Sequence, residues 1–171
     1  MHYLIFYILF ALLISCSTKS SYEINKEVFV NEAFTLVPLP KKIKKTNTTF
    51  VINNKTCIWT SKEFKQEAEY LKTLIEGSSV FKPKIIYEVQ TDLTNIICFE
   101  KLPATKNTVK EYYYLSTDNT GILIKAFDAT GIFRGIQTLR QIMPVDFHKK
   151  IKKNAWGVSG VIIEDYPVFK W

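Results

Sequence analysis

The chain has 171 residues, of which 47% are hydrophobic and 23% charged; this composition is typical of a globular protein and excludes a disordered one. The formal net charge of +7 raises the question of nucleic-acid binding. The lysines, however, concentrate in two short runs without interleaved aromatic residues or a nucleic-acid motif: Lys41, Lys42, Lys44 and Lys45, and Lys149, Lys150, Lys152 and Lys153. We therefore predict two solvated loops and no nucleic-acid partner.

The first segment in chain order has the pattern of an export signal. Residues 3–14 are twelve apolar residues without a charge, fewer than the roughly 20 that a membrane-spanning helix needs and within the range of about 7–15 that a signal peptide has. They lead into Leu-Ile-Ser-Cys ending at Cys16, which resembles the bacterial lipobox and implies cleavage before Cys16 and its lipidation. Only Met1 and His2 precede the run, so the positive residues usual before such a segment are missing. An ordinary buried segment with a chance cysteine is the alternative.

These features predict a lipoprotein signal peptide at residues 1–16 and a tether or linker at residues 17–35 that begins with a polar stretch; a first strand within residues 22–35 is the alternative. The protein is then expected in the bacterial cell envelope, with the membrane as a partner through the lipid on Cys16. Cys57 and Cys98 lie in apolar strand-like runs; we expect buried free thiols, with a disulfide as the alternative in an oxidising envelope. The histidines are His2 and His148, and no metal-binding motif is present, so we assign no metal site.

The first half of the domain alternates short strands with one helix. Residues 36–40 contain Pro38 and Pro40 and should be extended. Strands are predicted at residues 50–52 and 57–59, followed by a helix at about 61–76. Thr60 and Glu63 form a capping-box pattern, and Gly77 is a plausible helix end. Four apolar residues mark one helix face: Phe64, Ala68, Leu71 and Ile75.

The second half adds further strands and a second helix. Strands are predicted at residues 85–87, 95–99, 112–115 and 121–127, the last two joined by a turn at Asp118 to Gly121. A helix follows at about 129–143, with Asp128 as N-cap and Pro144 as its end, and a strand at 161–163. The apolar face of this helix comprises Ile132, Ile136, Leu139 and Met143. The pattern predicts an α+β, α/β sandwich-like fold: one mixed or antiparallel sheet with two amphipathic helices on one face.

Two segments carry a family resemblance. Residues 126–142 read AFDATGIFRGIQTLRQI, and residues 161–171 read VIIEDYPVFKW. Together they resemble the N-terminal domain and domain junction of glycoside hydrolase family 20, the β-N-acetylhexosaminidases. The resemblance implies a hexosaminidase N-terminal domain at residues 36–160 and the start of a junction at 161–171. Its structural motif residues are Gly131, Gly135, Gln137, Asp165 and Pro167.

The two motif glycines also have a physical meaning of their own. Gly131 and Gly135 are four residues apart and share one helix face. Because glycine costs about 1 kcal/mol relative to alanine inside a helix, two on one face indicate a close approach of the helix backbone to the sheet. The alternative for Gly131 is a place in a loose first turn.

The resemblance also implies an activity that this chain lacks the parts for. Family members remove terminal N-acetylhexosamines from glycans, with the sugar's acetamido oxygen as nucleophile and an Asp–Glu pair in a (β/α)8 barrel of about 250 residues. We therefore expect a truncated enzyme that is inactive alone. Its partners are the missing catalytic barrel and, only through that barrel, the glycan. We assign no catalytic residue and no cofactor.

Two local patterns could suggest chemistry within the chain itself. Glu164 and Asp165 are adjacent acids, but neighbours on a strand point to opposite faces. Residues 157–160 read GVSG and are no nucleophile elbow, because Val161 stands where glycine is required. The alternative function is a free-standing envelope lipoprotein that binds a glycan or a protein partner.

Overall fold

The computed structural model describes residues 35–87, 94–104 and 108–167. Cys16, the signal, almost all of the tether and the last four junction residues lie outside the described residues. Within them the chain forms β1 (Lys42–Asn53), β2 (Cys57–Trp59), a 3-10 turn (Lys62–Phe64), α1 (Lys65–Ser78), β3 (Lys84–Ile86), β4 (Ile96–Lys101), β5 (Tyr113–Thr117), β6 (Gly121–Ala126), α2 (Ala129–Ile142), α3 (Val145–His148) and β7 (Ala155–Asp165).

The strands form a single mixed sheet in the order β1-β7-β5-β6-β4-β2-β3. The half built from β1, β7, β5 and β6 is antiparallel, whereas β6, β4, β2 and β3 run parallel to one another. Parallel neighbours need a crossover, and α1 supplies it between β2 and β3. The predicted α+β fold is confirmed, with the mixed form of the sheet.

One face of the sheet carries the core. In β6, Ile122, Ile124 and Ala126 are buried while the residues between them are partly exposed, which is the period-two pattern of a strand covered on one side. The predicted apolar faces of both long helices are buried against this side, and one continuous cluster results: it includes Phe64, Ala68, Leu71, Ile75, Ile132, Ile136, Leu139 and Met143. Both helices therefore lie on one face, as predicted.

The opposite face carries ion pairs between neighbouring strands. Glu100 and Lys125 pair across β4 and β6 at 2.7 Å, and Lys42 and Glu164 pair across β1 and β7 at 2.9 Å. No described helix packs on this face. Such exposed pairs contribute little to stability, about 0–1 kcal/mol each, but they keep this side of the sheet polar.

The prediction for the first lysine run is wrong. Lys42, Lys44 and Lys45 belong to β1, a strand of twelve residues paired with β7. The run forms a strand because it lies at the sheet edge, where charged side chains reach solvent while the backbone pairs on one side; lysines also discourage edge-to-edge association. The second run follows α3 as a loop, apart from an isolated bridge between Lys153 and Ser79.

Two predicted ends of the first helix are also wrong. Thr60 is buried and its amide donates to the Ile86 carbonyl at 3.0 Å, so the N-cap of the 3-10 turn is Ser61 instead. Gly77 lies inside α1, which ends one residue later. The chain leaves the helix at Ser79 because the bridge to Lys153 holds it extended there. In each case a tertiary contact replaces the local signal.

The second helix begins and ends as predicted. The Asp128 carboxylate accepts a hydrogen bond from the Gly131 amide at 2.7 Å, and Pro144 follows the last turn. The predicted extended run at 36–40 instead bends at Val37 and Pro38, across a cis peptide bond, and joins no strand. No helix among the described residues is long and apolar enough to cross a membrane.

The thiols of Cys57 and Cys98 are both free. Cys57 stands opposite Ile96 and Cys98 opposite Trp59, so the two cysteines are two residues out of register on neighbouring strands. Burial, reinforced by the charge of Glu100, raises the pKa of Cys98 to about 12. The predicted buried thiol is confirmed for Cys98, whereas Cys57 is partly exposed.

Candidate functional site

A groove of about 310 Å³ runs along the outer side of α2. Its helical wall comes from residues spaced at one-turn and two-turn intervals, because such residues share one helix face: Thr130, Phe133, Arg134, Gln137 and Gln141. The opposite wall is the segment before β1, with Leu36, Pro38 and Pro40, and the end is closed by Asp165 of β7. The groove thus joins the first described residues of the chain to the last strand.

Two long-range hydrogen bonds hold the segment before β1 in place. The Val37 amide donates to the Gln141 side-chain oxygen at 3.0 Å, and the Lys41 amide donates to Asp165 Oδ1 at 3.2 Å. Leu36, next to the first of these anchors, is buried in the core. Since prolines cannot donate backbone hydrogen bonds, these two amides fix a segment that the sheet does not hold.

Hydrogen-bonded side chains form the base of the groove, and further contacts hold the neighbouring side of α2 against α1. The hydroxyls of Tyr113 and Thr138 are hydrogen-bonded at 2.7 Å, and burial raises the pKa of Tyr113 to about 12. Gln137 Nε2 donates to the Tyr70 hydroxyl at 3.0 Å and so ties α2 to α1. The ring of Tyr70 lies 5.4 Å from that of Phe133. These contacts make a preformed base, since each buried polar group has a partner.

The rim of the groove is apolar and exposed. The Phe133 side chain is 42% exposed, and three other large apolar residues at this end are exposed as well: Val37, Leu39 and Tyr166. Arg134 forms an ion pair with Glu111, and the Lys41 ammonium lies 5.8 Å from the centre of the Tyr166 ring. Clustered exposed apolar side chains next to satisfied charges are typical of a contact surface.

The structure places the five motif residues in three different settings. Asp165 and Gln137 line the groove. Gly131 and Gly135 lie on the sheet-facing side of the same helix, where a Cβ on Gly135 would be 2.5 Å from Ile124 Cγ2 and a Cβ on Gly131 would overlap the Tyr112 carbonyl oxygen. The glycines therefore let α2 approach the sheet closely. Pro167 lies just beyond β7, outside the groove.

The adjacent acids do not form a catalytic pair. Glu164 turns to the open sheet face, where it pairs with Lys42, whereas Asp165 turns to the groove and accepts from the Lys41 amide. Two carboxylates on opposite faces cannot act on one substrate atom. Across the described ranges, no three His, Cys, Asp or Glu side chains come together as a metal site would require. The arrangement suits docking rather than bond cleavage.

Sequence reasoning missed the groove itself. Phe133, Arg134 and Gln141 sit in a recognised helix, but their exposure beside the segment before β1 was not predicted. The available signal is their spacing with Gln137, which marks a second helix face opposite the apolar one. Leu36 carries no periodic signal, because it belongs to neither a helix nor a strand.

Comparison with known proteins identifies the family to which this domain is similar. The family model described as glycosyl hydrolase family 20, domain 2, matches residues 33–166. A β-hexosaminidase of Porphyromonas gingivalis is 27% identical over 162 residues, covering 92% of this chain and 20% of that protein. The chain therefore spans about a fifth of that curated relative's length.

Solved structures share the fold. The family 20 β-N-acetylhexosaminidase of Streptomyces coelicolor superposes with a TM-score of 0.66 at 24% identity, over 82% of this chain and 28% of that one. The chitobiase of Flavobacterium johnsoniae gives 0.61 at 18% identity, over 81% and 21%. The comparisons offer no support for a free-standing module. With its family model spanning nearly all described residues, the chain belongs to glycosyl hydrolase family 20, as the N-terminal, non-catalytic domain 2.

Proposed function

We propose that this chain is the accessory domain of a β-N-acetylhexosaminidase and that the groove on α2 seats the catalytic barrel. The observation that carries the proposal is the exposed apolar rim around Phe133, placed beside Asp165 at the end of β7. Because β7 ends beside this surface, a catalytic barrel that follows it along the chain would begin here. The names of the relatives support hydrolysis of terminal N-acetylhexosamines by the whole enzyme. The domain's own contribution is positioning and stability.

The test is made in the protein obtained by reading the coding DNA past Trp171. We expect it to hydrolyse a chromogenic N-acetylglucosaminide, whereas the 171-residue chain alone does not exceed the rate without enzyme. Phe133→Glu buries a charge at the docking surface and should lower the temperature at which activity is lost by several degrees. Val80→Glu, at an exposed apolar residue outside the groove, is the matched control and should leave that temperature unchanged.

Two results would contradict the proposal. If the coding DNA past Trp171 encodes no barrel, or if its product lacks hydrolase activity, the chain is not the accessory domain of an active hexosaminidase. Equal inactivation temperatures for the Phe133 and Val80 variants would contradict the groove as the docking surface but not the assignment to a hexosaminidase. Hydrolysis by the 171-residue chain that disappears in Glu164→Gln would show instead that the chain carries its own catalytic group.

We further propose that the protein is anchored in the bacterial envelope by lipid on Cys16. The apolar run at residues 3–14 and the lipobox-like tetrapeptide support this proposal. Cys16→Ala should shift the protein from the membrane fraction to the soluble or unprocessed pool and abolish labelling by a radioactive lipid precursor. An unlabelled wild-type protein that fractionates as soluble contradicts the anchor. One acyl chain gives only marginal binding, so a second contact would strengthen attachment.

A further inference from the structure

A second exposed apolar cluster lies away from the groove, at the end of the domain formed by α3 and the loop after it. The Ile151 amide donates to the Asp146 carbonyl at 3.1 Å, and the Val80 amide donates to the Lys153 carbonyl at 3.1 Å. These bonds hold α3, the lysine loop and the end of α1 together. We call this surface the basic corner: Val80, Val145, Lys149, Lys150, Ile151 and Lys152.

The apolar members of the basic corner are exposed without a partner in the described chain. Val80 is 63%, Val145 58% and Ile151 44% exposed. The segment itself is well anchored, because Phe147 of the same short helix is in the core and its ring lies edge to face with the Trp156 ring, with the ring centres 5.3 Å apart. Three exposed aliphatic residues on a well-anchored segment indicate a surface that meets an apolar phase.

The charges of the basic corner are mostly uncompensated. Residues 145–153 contain four lysines and one acid, Asp146, which is paired with Lys153 at 2.8 Å. That pair lowers the pKa of Asp146 through the Lys153 hydrogen bond. The Lys152 ammonium donates to the backbone carbonyl oxygen of Glu76, which carries no formal charge. Lys149, Lys150 and Lys152 remain exposed cations around Ile151.

The position of the basic corner relates it to the N-terminal segment. The Val37 amide is bonded to Gln141, four residues before Val145, so the chain enters the domain beside α3. Residues 1–34 precede that point, and their sequence includes the twelve apolar residues at 3–14. If Cys16 carries the proposed lipid, residues 17–34 keep this side of the domain within a linker's length of the membrane.

We propose that the basic corner docks on an anionic lipid bilayer, with Val80, Val145 and Ile151 at the interface and Lys149, Lys150 and Lys152 against the lipid phosphates. An anionic bilayer complements both the aliphatic and the cationic residues of the basic corner, whereas an acidic protein would complement the charges alone. The proposal does not depend on glycan hydrolysis. It rests on the proposed lipid anchor for the placement of the domain near a membrane, but it concerns residues of the folded domain.

The test compares binding of the full chain to vesicles of pure phosphatidylcholine and to vesicles containing phosphatidylglycerol. The apolar run at 3–14 contributes equally in every variant, so the informative quantity is the ratio of the two partition constants. Each lysine near an anionic surface contributes about fivefold. The triple variant Lys149→Gln, Lys150→Gln, Lys152→Gln should therefore lower the ratio about a hundredfold.

The matched control removes the same number of charges elsewhere. Lys44→Gln, Lys55→Gln and Lys65→Gln alter exposed lysines outside the basic corner and should leave the ratio nearly at its wild-type value. Ile151→Ser should weaken binding to both vesicle types by a similar factor, since it removes an apolar contact. Unchanged melting curves for all variants establish that the fold is intact.

An equal loss of the ratio in both triple variants would show that only net charge matters and would overturn the proposal. A wild-type ratio of about one would overturn it as well. If the chain shows no vesicle preference but binds an acidic polypeptide or an oligonucleotide through the same three lysines, the partner is a polyanion and the membrane assignment is wrong.

Discussion

Replacing Gly131 by alanine tests the closest approach between α2 and the sheet. A Cβ at this position would overlap the carbonyl oxygen of Tyr112 and lie 2.7 Å from the Cβ of Ala126. Neither atom is the end of a flexible side chain, so relief requires movement of the helix or of the strand backbone. Adding a methylene to a well-packed region typically costs about 1–3 kcal/mol.

The same chain provides a control with the opposite expected sign. Gly77 lies within α1, and a Cβ added to it would meet no atom within 4 Å. Gly77→Ala should therefore stabilise the protein by up to about 1 kcal/mol, because alanine has the higher helix propensity. The two substitutions add the same atom to two helices and differ only in what that atom meets.

Thermal unfolding followed by circular dichroism measures both effects. At roughly 2–4 °C per kcal/mol for a chain of this size, Gly131→Ala should lower the melting temperature by about 2–12 °C and Gly77→Ala should raise it by up to about 4 °C. The amide of residue 131 donates to the Asp128 carboxylate in the wild type, and alanine keeps that amide. A difference in melting temperature between Gly131→Ala and the wild type therefore does not come from loss of the helix cap. A Gly131→Ala melting temperature equal to or above wild type would refute the close-packing argument.

Three further predictions concern local interactions. Gly135→Leu should cost about 1–3 kcal/mol in urea unfolding, because its Cβ already meets Ile124 Cγ2 at 2.5 Å; a variant as stable as wild type would place this glycine in solvent. Asp128→Ala removes the cap of α2 and should cost about 0.5–2 kcal/mol by the same assay, and no loss would mean that the cap bond is not formed in solution. The hydrogen bond from the Thr120 hydroxyl lowers the pKa of Asp118. The ionised carboxylate therefore stabilises the folded state at pH values above the ordinary pKa. This contribution is lost as the pH falls through the lowered pKa of the folded state. Asp118→Asn should therefore be less stable than wild type at pH 7 and approach it in strong acid, at about pH 2; a gap independent of pH would exclude the charge as its origin.

Some residues of the candidate site are marked by patterns within one helix, whereas others are brought together only by contacts between distant parts of the chain. The two motif glycines and Gln137 could be found from sequence, because their family pattern and their spacing lie within one helix. The groove could not, since its walls are hydrogen-bonded across 104 residues at Val37 and Gln141 and across 124 residues at Lys41 and Asp165. The proposed membrane-docking surface likewise depends on the exposures of Val80 and Ile151, which cannot be told from sequence because both are ordinary apolar residues.

The sequence by itself determined the features whose interactions close within a few residues. Asp128 caps α2, Asp118 and Gly121 turn the β5–β6 hairpin, and Ile132 and Ile136 mark the buried helix face, because hydrogen bonding and amphipathic periodicity are local. Only the tertiary structure decided that the lysines from Lys42 onward form an edge strand, because β7 supplies their backbone partners. It also decided that α1 continues through Gly77, since the bridge between Ser79 and Lys153 sets where that helix ends. Local propensities differ by about 1 kcal/mol or less, and the pairing of distant strands outweighs them.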